Sequence, residues 1–178
     1  ISSSQNINAM EKPDLSEKAA PIFHQPYQDS ATNFIYNLLF CDDLNLYREN
    51  TAQPFTYPFD VLFAETSSVE DLQKIIDDAD AEPRIKMLSY NKLALMGQSP
   101  HKKELLGVIV EVGLEEGLDV LASFENGTAR YINHTERMIV WENIDDAEVN
   151  QLTKDLFANS RNIVDQIGAW DQARRPAP

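Results

Sequence analysis

Four side chains in one stretch of the chain have the residue types that acid–base chemistry needs: Glu111, Asp119, His134 and Arg137. A carboxylate that faces an imidazole fixes its tautomer and raises its pKa, which is how a general base is oriented. An arginine beside such a pair could bind a small anionic substrate. Alternatively, the four residues form cross-strand ion pairs on a solvated end of a sheet, each worth under about 1 kcal/mol. We favour this alternative, because no nucleophile accompanies the group.

Arg130 and Trp141 are candidates for ligand binding, although packing explains a tryptophan more simply. The other histidines, His24 and His101, are far apart in the sequence, so the spacing is not that of a zinc site. The sequence contains no phosphate-binding loop, dinucleotide fingerprint, HExxH or GxSxG motif. It therefore predicts neither a metal nor a cofactor, and it favours a protein without catalytic activity.

The elements that would position these side chains are the strands of a four-stranded antiparallel β-meander, predicted at about residues 105–142. Its apolar segments are separated by turn-forming residues, which are Glu115-Glu116-Gly117, Asn126-Gly127 and Thr135-Glu136. Asn-Gly is the strongest short hairpin signal, because both residues tolerate a positive φ. Interpreted as a two-residue turn, it places Asp119 opposite His134 and Leu121 opposite Ile132.

The other two turns complete the predicted register. A three-residue loop at the first turn pairs Leu114 with Leu118, and a two-residue loop at the last pairs His134 with Arg137. One face then becomes a core face, made of Leu106, Val108, Val110, Val112, Val120, Ala122, Phe124, Tyr131, Met138 and Val140. The other face carries an apolar band that requires a cover, made of Ile109, Leu121, Ile132 and Ile139. A shift of one residue in the pairing would move every side chain of a strand to the opposite face of the sheet.

Helical periodicity is predicted on both sides of the meander, within residues 28–97 and again in a closing helix at 146–167. Pro83 suits the first position of a helix, where its missing N–H is unpaired in any case. Asp145 is predicted to cap the closing helix, and Gly168 to end it. The helices are expected to pack on the sheet.

A single domain is predicted at residues 21–175, after a polar, disordered tail at 1–20. Because the chain begins with Ile, we interpret residues 1–9 as a cloning remnant. Cys41 is the single cysteine, which excludes an internal disulfide and a cysteine-based metal site. Its apolar neighbours predict a buried residue rather than a nucleophile.

The charge of the chain limits its partners. There are 15 Lys and Arg against 29 Asp and Glu, a net charge of -14. Such a chain repels phosphate backbones, which argues against nucleic-acid binding by a basic face. The acidity instead favours solubility or docking on a basic protein. Since no segment reaches the ~18 apolar residues of a membrane span and no signal-peptide pattern is visible, the sequence predicts a cytoplasmic protein.

The sequence LLGVIVEVGLEEGLDVLASFENGTARYINHTERMIVWE, followed by VDQIGAWD and RRPAP, resembles uncharacterised bacterial proteins. The resemblance covers the meander and the closing helix, about residues 83–178, and implies a bacterial source. It implies no activity and no site residue.

The sequence thus predicts an α+β protein that binds a macromolecular partner through an acidic helical surface or an open sheet edge. Two copies could also pair by their edge strands, although no residue demands it. The alternative is a small enzyme or ligand-binding domain that uses Glu111, Asp119, His134 and Arg137. A cleft at His134 would favour the enzyme, whereas an exposed His134 on a flat rim would count against it.

Overall fold

The computed structural model describes residues 22–142, 145–167, 174 and 175. Within these ranges the elements are α1 (Ser30–Leu38), α2 (Leu44–Glu49), α3 (Phe59–Phe63), α4 (Val69–Asp77), α5 (Pro83–Leu95), β1 (Gly107–Leu114), β2 (Gly117–Phe124), β3 (Ala129–Ile132), β4 (Met138–Trp141) and α6 (Ala147–Ile167). The strands pair antiparallel in the order β1-β2-β3-β4, which confirms the predicted α+β meander. The predicted tail at 1–20 and the helix stop at Gly168 lie outside the described residues.

Helices α3, α4 and α5 enclose one of two apolar cores. The buried members are Cys41, Leu62, Phe63, Leu72, Ile75, Ile76, Ile85, Leu88 and Leu93. Ser68 caps α4 by accepting the Asp71 N–H at 3.0 Å, and Pro83 begins α5 as predicted. Lys92 is buried at the edge of this core, where its Nζ donates to the carbonyl oxygens of Leu62 at 2.7 Å and Ala64 at 2.6 Å. It thereby satisfies carbonyl groups at the end of α3.

The second core lies on one face of the sheet, which we call the inner face. Its buried strand residues are Leu118, Val120, Ala122 and Phe124 on β2 and Ile132 on β3. Three residues pack against them: Tyr27 from the segment before α1, Tyr36 from α1, and Leu39 from the C-terminal end of α1. The opposite side of the sheet is called the outer face.

The first two predicted turns each differ from the structure by one residue. Leu114 pairs with Gly117, so the turn between β1 and β2 has two residues rather than three. Phe124 pairs with Thr128 around a three-residue loop, and its N–H donates to the Thr128 carbonyl at 2.9 Å. Gly127 has a φ of +84°, the left-handed conformation that the last position of such a loop requires.

The third turn is also longer than predicted. Asn133 donates its N–H to the Arg137 carbonyl at 3.0 Å around a three-residue loop, and Glu136 has a φ of +66°. The Glu136 carboxylate accepts the backbone N–H groups of Gln28 at 2.7 Å and Asp29 at 3.0 Å. This contact ties the turn to the segment before α1 and supports a conformation that a residue other than glycine rarely adopts.

These corrections change which side chains share a face. The corrections at the first two turns move the side chains of β1 and β3 to the face opposite the predicted one. The correction at the third turn reverses this change for β4, whose side chains lie on the predicted face. The predicted core face is therefore right for β2 and wrong for β1 and β3. Ile109 and Ile132 belong to the inner face, whereas Val110, Val112 and Tyr131 belong to the outer face.

Residues 22–28, which we call the strap, run without regular structure to the start of α1 and are held by two asparagines. Asn33 accepts the N–H of Tyr27 at 2.9 Å and donates to its carbonyl at 2.8 Å. Asn37, one helical turn later, does the same for His24 at 3.0 and 2.7 Å. The two side-chain amides thus satisfy backbone groups that a neighbouring strand would otherwise pair.

Helix α6 is capped by Asp146 rather than by Asp145, since Asp146 accepts the N–H groups of Glu148 and Val149, both at 3.0 Å. The helix passes the turn between β2 and β3 and contacts β1. Phe157 is buried, yet several apolar side chains of this helix remain exposed: Leu152, Ile163, Val164 and Ile167.

Candidate functional site

Asp119 and His134 lie together on the rim of the sheet. One carboxylate oxygen of Asp119 accepts the backbone N–H of His134 at 2.7 Å and contacts His134 Nδ1 at 3.0 Å. The other oxygen accepts the Tyr131 hydroxyl at 2.6 Å. The hydrogen bond from Tyr131 lowers the pKa of Asp119, and those from His134 lower it further. Asp119 therefore orients the imidazole of His134 and also joins β2 to β3.

Replacing Asp119 with asparagine is expected to make the stability of the folded state depend less on pH in the acidic range. A carboxyl whose pKa is lowered in the folded state stabilises it above about pH 4, and this contribution is lost as the pH falls through the folded pKa. The melting temperature of Asp119→Asn should thus fall less between about pH 6 and pH 3 than that of the wild type. Glu116→Gln, an exposed change in the preceding turn, is the control. Equal falls in wild type and Asp119→Asn would contradict the prediction.

Glu111 and Arg137 do not complete the predicted group. Glu111 pairs with Val120 and so points to the inner face, where its carboxylate accepts the hydroxyl of the fully buried Tyr36. Burial and this bond raise the pKa of Tyr36. The exposed Arg137 side chain forms no ion pair with any described residue. The rim therefore contains the Asp119–His134 pair, Glu111 points to the other face, and Arg137 is bonded through its backbone to Asn133.

Arg130 and Trp141 lie on opposite faces of the sheet, because Arg130 pairs with Val140 and Trp141 pairs with Ala129. The Arg130 guanidinium donates to the carbonyl oxygen of Ala129 at 2.8 Å, to that of Trp141 at 3.3 Å and to the Glu142 carboxylate. The Trp141 indole N–H is buried without a partner among the described residues. The two side chains do not form a common binding surface.

An apolar row crosses the outer face where an apolar band is predicted, but its β1 and β3 members differ from the predicted Ile109 and Ile132. It consists of Val110, Leu121, Tyr131 and Ile139, which are aligned across the four strands. Val110 is 40% exposed, Leu121 38% and Ile139 58%, and Val112 beside them is 48% exposed. The signal was present as alternating valines in β1, but the incorrect register assigned them to the core. We call these five residues the outer apolar patch.

The border of this patch is acidic. Glu115 and Glu116 form the exposed turn at one end of β1 and β2, and Asp119 lies across from Val112. Glu142, just after β4, is not part of this border, because its carboxylate pairs with Arg130 of the inner face. Beyond Glu125, a groove of about 710 Å³ separates the β2–β3 turn from α6 and includes Phe157 and Arg161 among its lining residues. The outer side of the domain thus combines apolar surface with a carboxylate border.

Cys41 and His101 are two other residues with reactive side chains, and neither is placed for catalysis or metal binding by its surroundings. Cys41 is 2% exposed, and burial raises the pKa of its thiol to about 11, so little thiolate is present at neutral pH. His101 lies on the surface and contacts Gln73 and Asp77. In the described part of the chain, no three His, Cys, Asp or Glu side chains are grouped so that they could hold a metal ion.

The described helices include none that is both long and apolar enough to cross a membrane. The chain gives no match to known protein-family models, to curated proteins or to solved structures.

Proposed function

We propose that this chain is a non-enzymatic cytoplasmic protein of bacterial origin that binds another protein through the outer apolar patch. The observation that carries the proposal is the exposure of Val110, Val112, Leu121 and Ile139 as one contiguous area. Monomeric proteins seldom expose apolar side chains in contiguous rows, and such patches bordered by polar residues mark binding surfaces. Covering the patch would remove apolar area from water at about 25 cal/mol per Å².

The charges around the patch define the partner. The three carboxylates at its border are Glu115, Glu116 and Asp119, and the whole chain has a net charge of -14. A segment with apolar side chains on one side and lysine or arginine beside them would complement both features.

The alternative function, a small enzyme or ligand-binding domain at the rim, has less support. Asp119 and His134 are adjacent, but Glu111 points to the other face and Arg137 makes no ion pair with a described residue. Both oxygens of Asp119 are already occupied by Tyr131 and His134. This geometry is what a structural cross-strand contact requires.

Selection of displayed peptides on the immobilised chain tests the proposal. We expect enriched peptides to alternate apolar residues with lysine or arginine. Leu121→Glu should weaken their binding at least about 30-fold, because it buries a carboxylate in the contact. Leu95→Glu is the matched control, since Leu95 is 55% exposed on α5 outside the sheet and should leave binding unchanged.

Three outcomes would contradict the proposal. The first is a selection that enriches no peptide, and the second is enrichment of acidic peptides. The third is equal binding by Leu121→Glu and the wild type. Circular dichroism of both variants establishes that the substitutions leave the fold intact.

A further inference from the structure

Arg174 occupies a pocket at the C-terminal end of α1. Its guanidinium carbon lies 3.7 Å from the centre of the Phe40 ring and 5.2 Å from that of Tyr36. Its Nη2 donates to Asn37 Oδ1 at 2.9 Å, and its Nε donates to Asp42 Oδ2 at 3.3 Å. This residue comes from the polar end of the chain, yet its side chain is only 15% exposed.

Each part of this pocket suits a guanidinium group. The aromatic faces attract a cation, and the attraction increases as water is excluded. Asp42 supplies a negative charge, and the last carbonyl groups of α1 add the negative end of a helix dipole. Two acceptors on different sides of a planar group match the donor fork of arginine, whereas the ammonium of lysine is a point charge that cannot stack in this way.

The described residues that contact the Arg174 guanidinium lie on α1 and in the segment just after it. Tyr36 is fully buried, and Asn37, which is 4% exposed, is held by its two bonds to His24. A hollow of about 410 Å³ continues from Phe40 and Asp42 toward α5 and the start of β1. The Nη1 atom of Arg174 is buried without a partner among the described residues, so Arg174 leaves part of the bonding capacity of its guanidinium unused.

We propose that this pocket is a binding site for arginine side chains, occupied within the chain by Arg174, and that an arginine of a partner protein can take the place of Arg174 in it. The acidic net charge of the chain favours such a ligand. The pocket is built on α1, which covers the inner face, whereas the outer apolar patch lies on the other side of the sheet. The two sites are therefore independent, and each can be tested without the other.

The test uses the full chain with Arg174→Ala and a fluorescent peptide that has the sequence of residues 171–178. The emptied pocket should bind this peptide at least about tenfold more tightly than the wild type does, since Arg174 competes in the wild type. A peptide with lysine in place of both arginines should bind at least about tenfold more weakly. Fluorescence polarisation measures each affinity.

Asp42→Asn in the Arg174→Ala background should reduce the affinity, because it removes the charge while preserving the shape of the side chain. Asp80→Asn, an exposed change outside the pocket, is the matched control. The inference is overturned if Arg174→Ala fails to bind the arginine peptide, if it binds the lysine peptide equally well, or if Asp42→Asn has no effect. Circular dichroism of Arg174→Ala at the temperature of the binding assay shows that the pocket is tested in a folded protein.

Discussion

Ile132→Ala is expected to lower the free energy of unfolding by about 2–5 kcal/mol, the range for an isoleucine truncated in a closed core. Ile132 is fully buried on the inner face, among residues of β2, the strap and α1. The loss combines the transfer free energy of the deleted methyl and methylene groups with the cavity that they leave. Urea unfolding of the purified variant measures it.

Ile139→Ala provides a control with the same chemical change. Ile139 is 58% exposed on the outer face, so the variant should stay within about 1 kcal/mol of the wild type. The two isoleucines would share a face under the register predicted from the sequence, and the observed register separates them. Similar losses for the two variants would mean that the observed register is wrong.

Asn33→Ala is expected to lower the free energy of unfolding by about 2–4 kcal/mol, since it leaves a buried N–H and a buried carbonyl without their partner. Both groups belong to Tyr27, which is 8% exposed and donates its hydroxyl to the Leu118 carbonyl at 3.1 Å. Loosening this end of the strap should therefore disturb the cover of the inner face.

Amide hydrogen exchange distinguishes this local effect from a general loss of stability. The Tyr27 amide should lose its protection in Asn33→Ala under native conditions, while the amide of Ile76 in α4 keeps most of its protection. Asn45→Ala, on the exposed side of α2, should change neither. Full protection of the Tyr27 amide in Asn33→Ala would show that its N–H has another acceptor.

The candidate site illustrates how a correct contact can follow from an incorrect register. The sequence placed Asp119 directly opposite His134, whereas the structure brings them together through the bend that follows β3. After a shift of one residue, the Asp119 carboxylate is still within hydrogen-bond distance of His134. The prediction for Glu111 failed, because the separate one-residue shift at the turn between β1 and β2 moves its side chain to the other face.

The β1 and β3 members of the outer apolar patch, and the arginine pocket, could not be derived from the sequence. The patch depends on which face of β1 and β3 is buried, and periodicity alone does not specify a face when both contain apolar residues. The pocket joins residues from α1 and from the far end of the chain. No spacing rule connects positions so distant in the sequence.

The sequence by itself determined the features that depend on a few neighbouring residues: the α+β class, the positions of the strands and turns, and the start of α5 at Pro83. Tertiary structure decided the length of each turn. A left-handed residue such as Glu136 costs about 1–2 kcal/mol locally. Burial of an isoleucine such as Ile132 returns about 1.5–3 kcal/mol, and the bonds from Glu136 to the start of α1 contribute further. The choice of face therefore followed from packing against the strap and α1, and that information lies outside the strands.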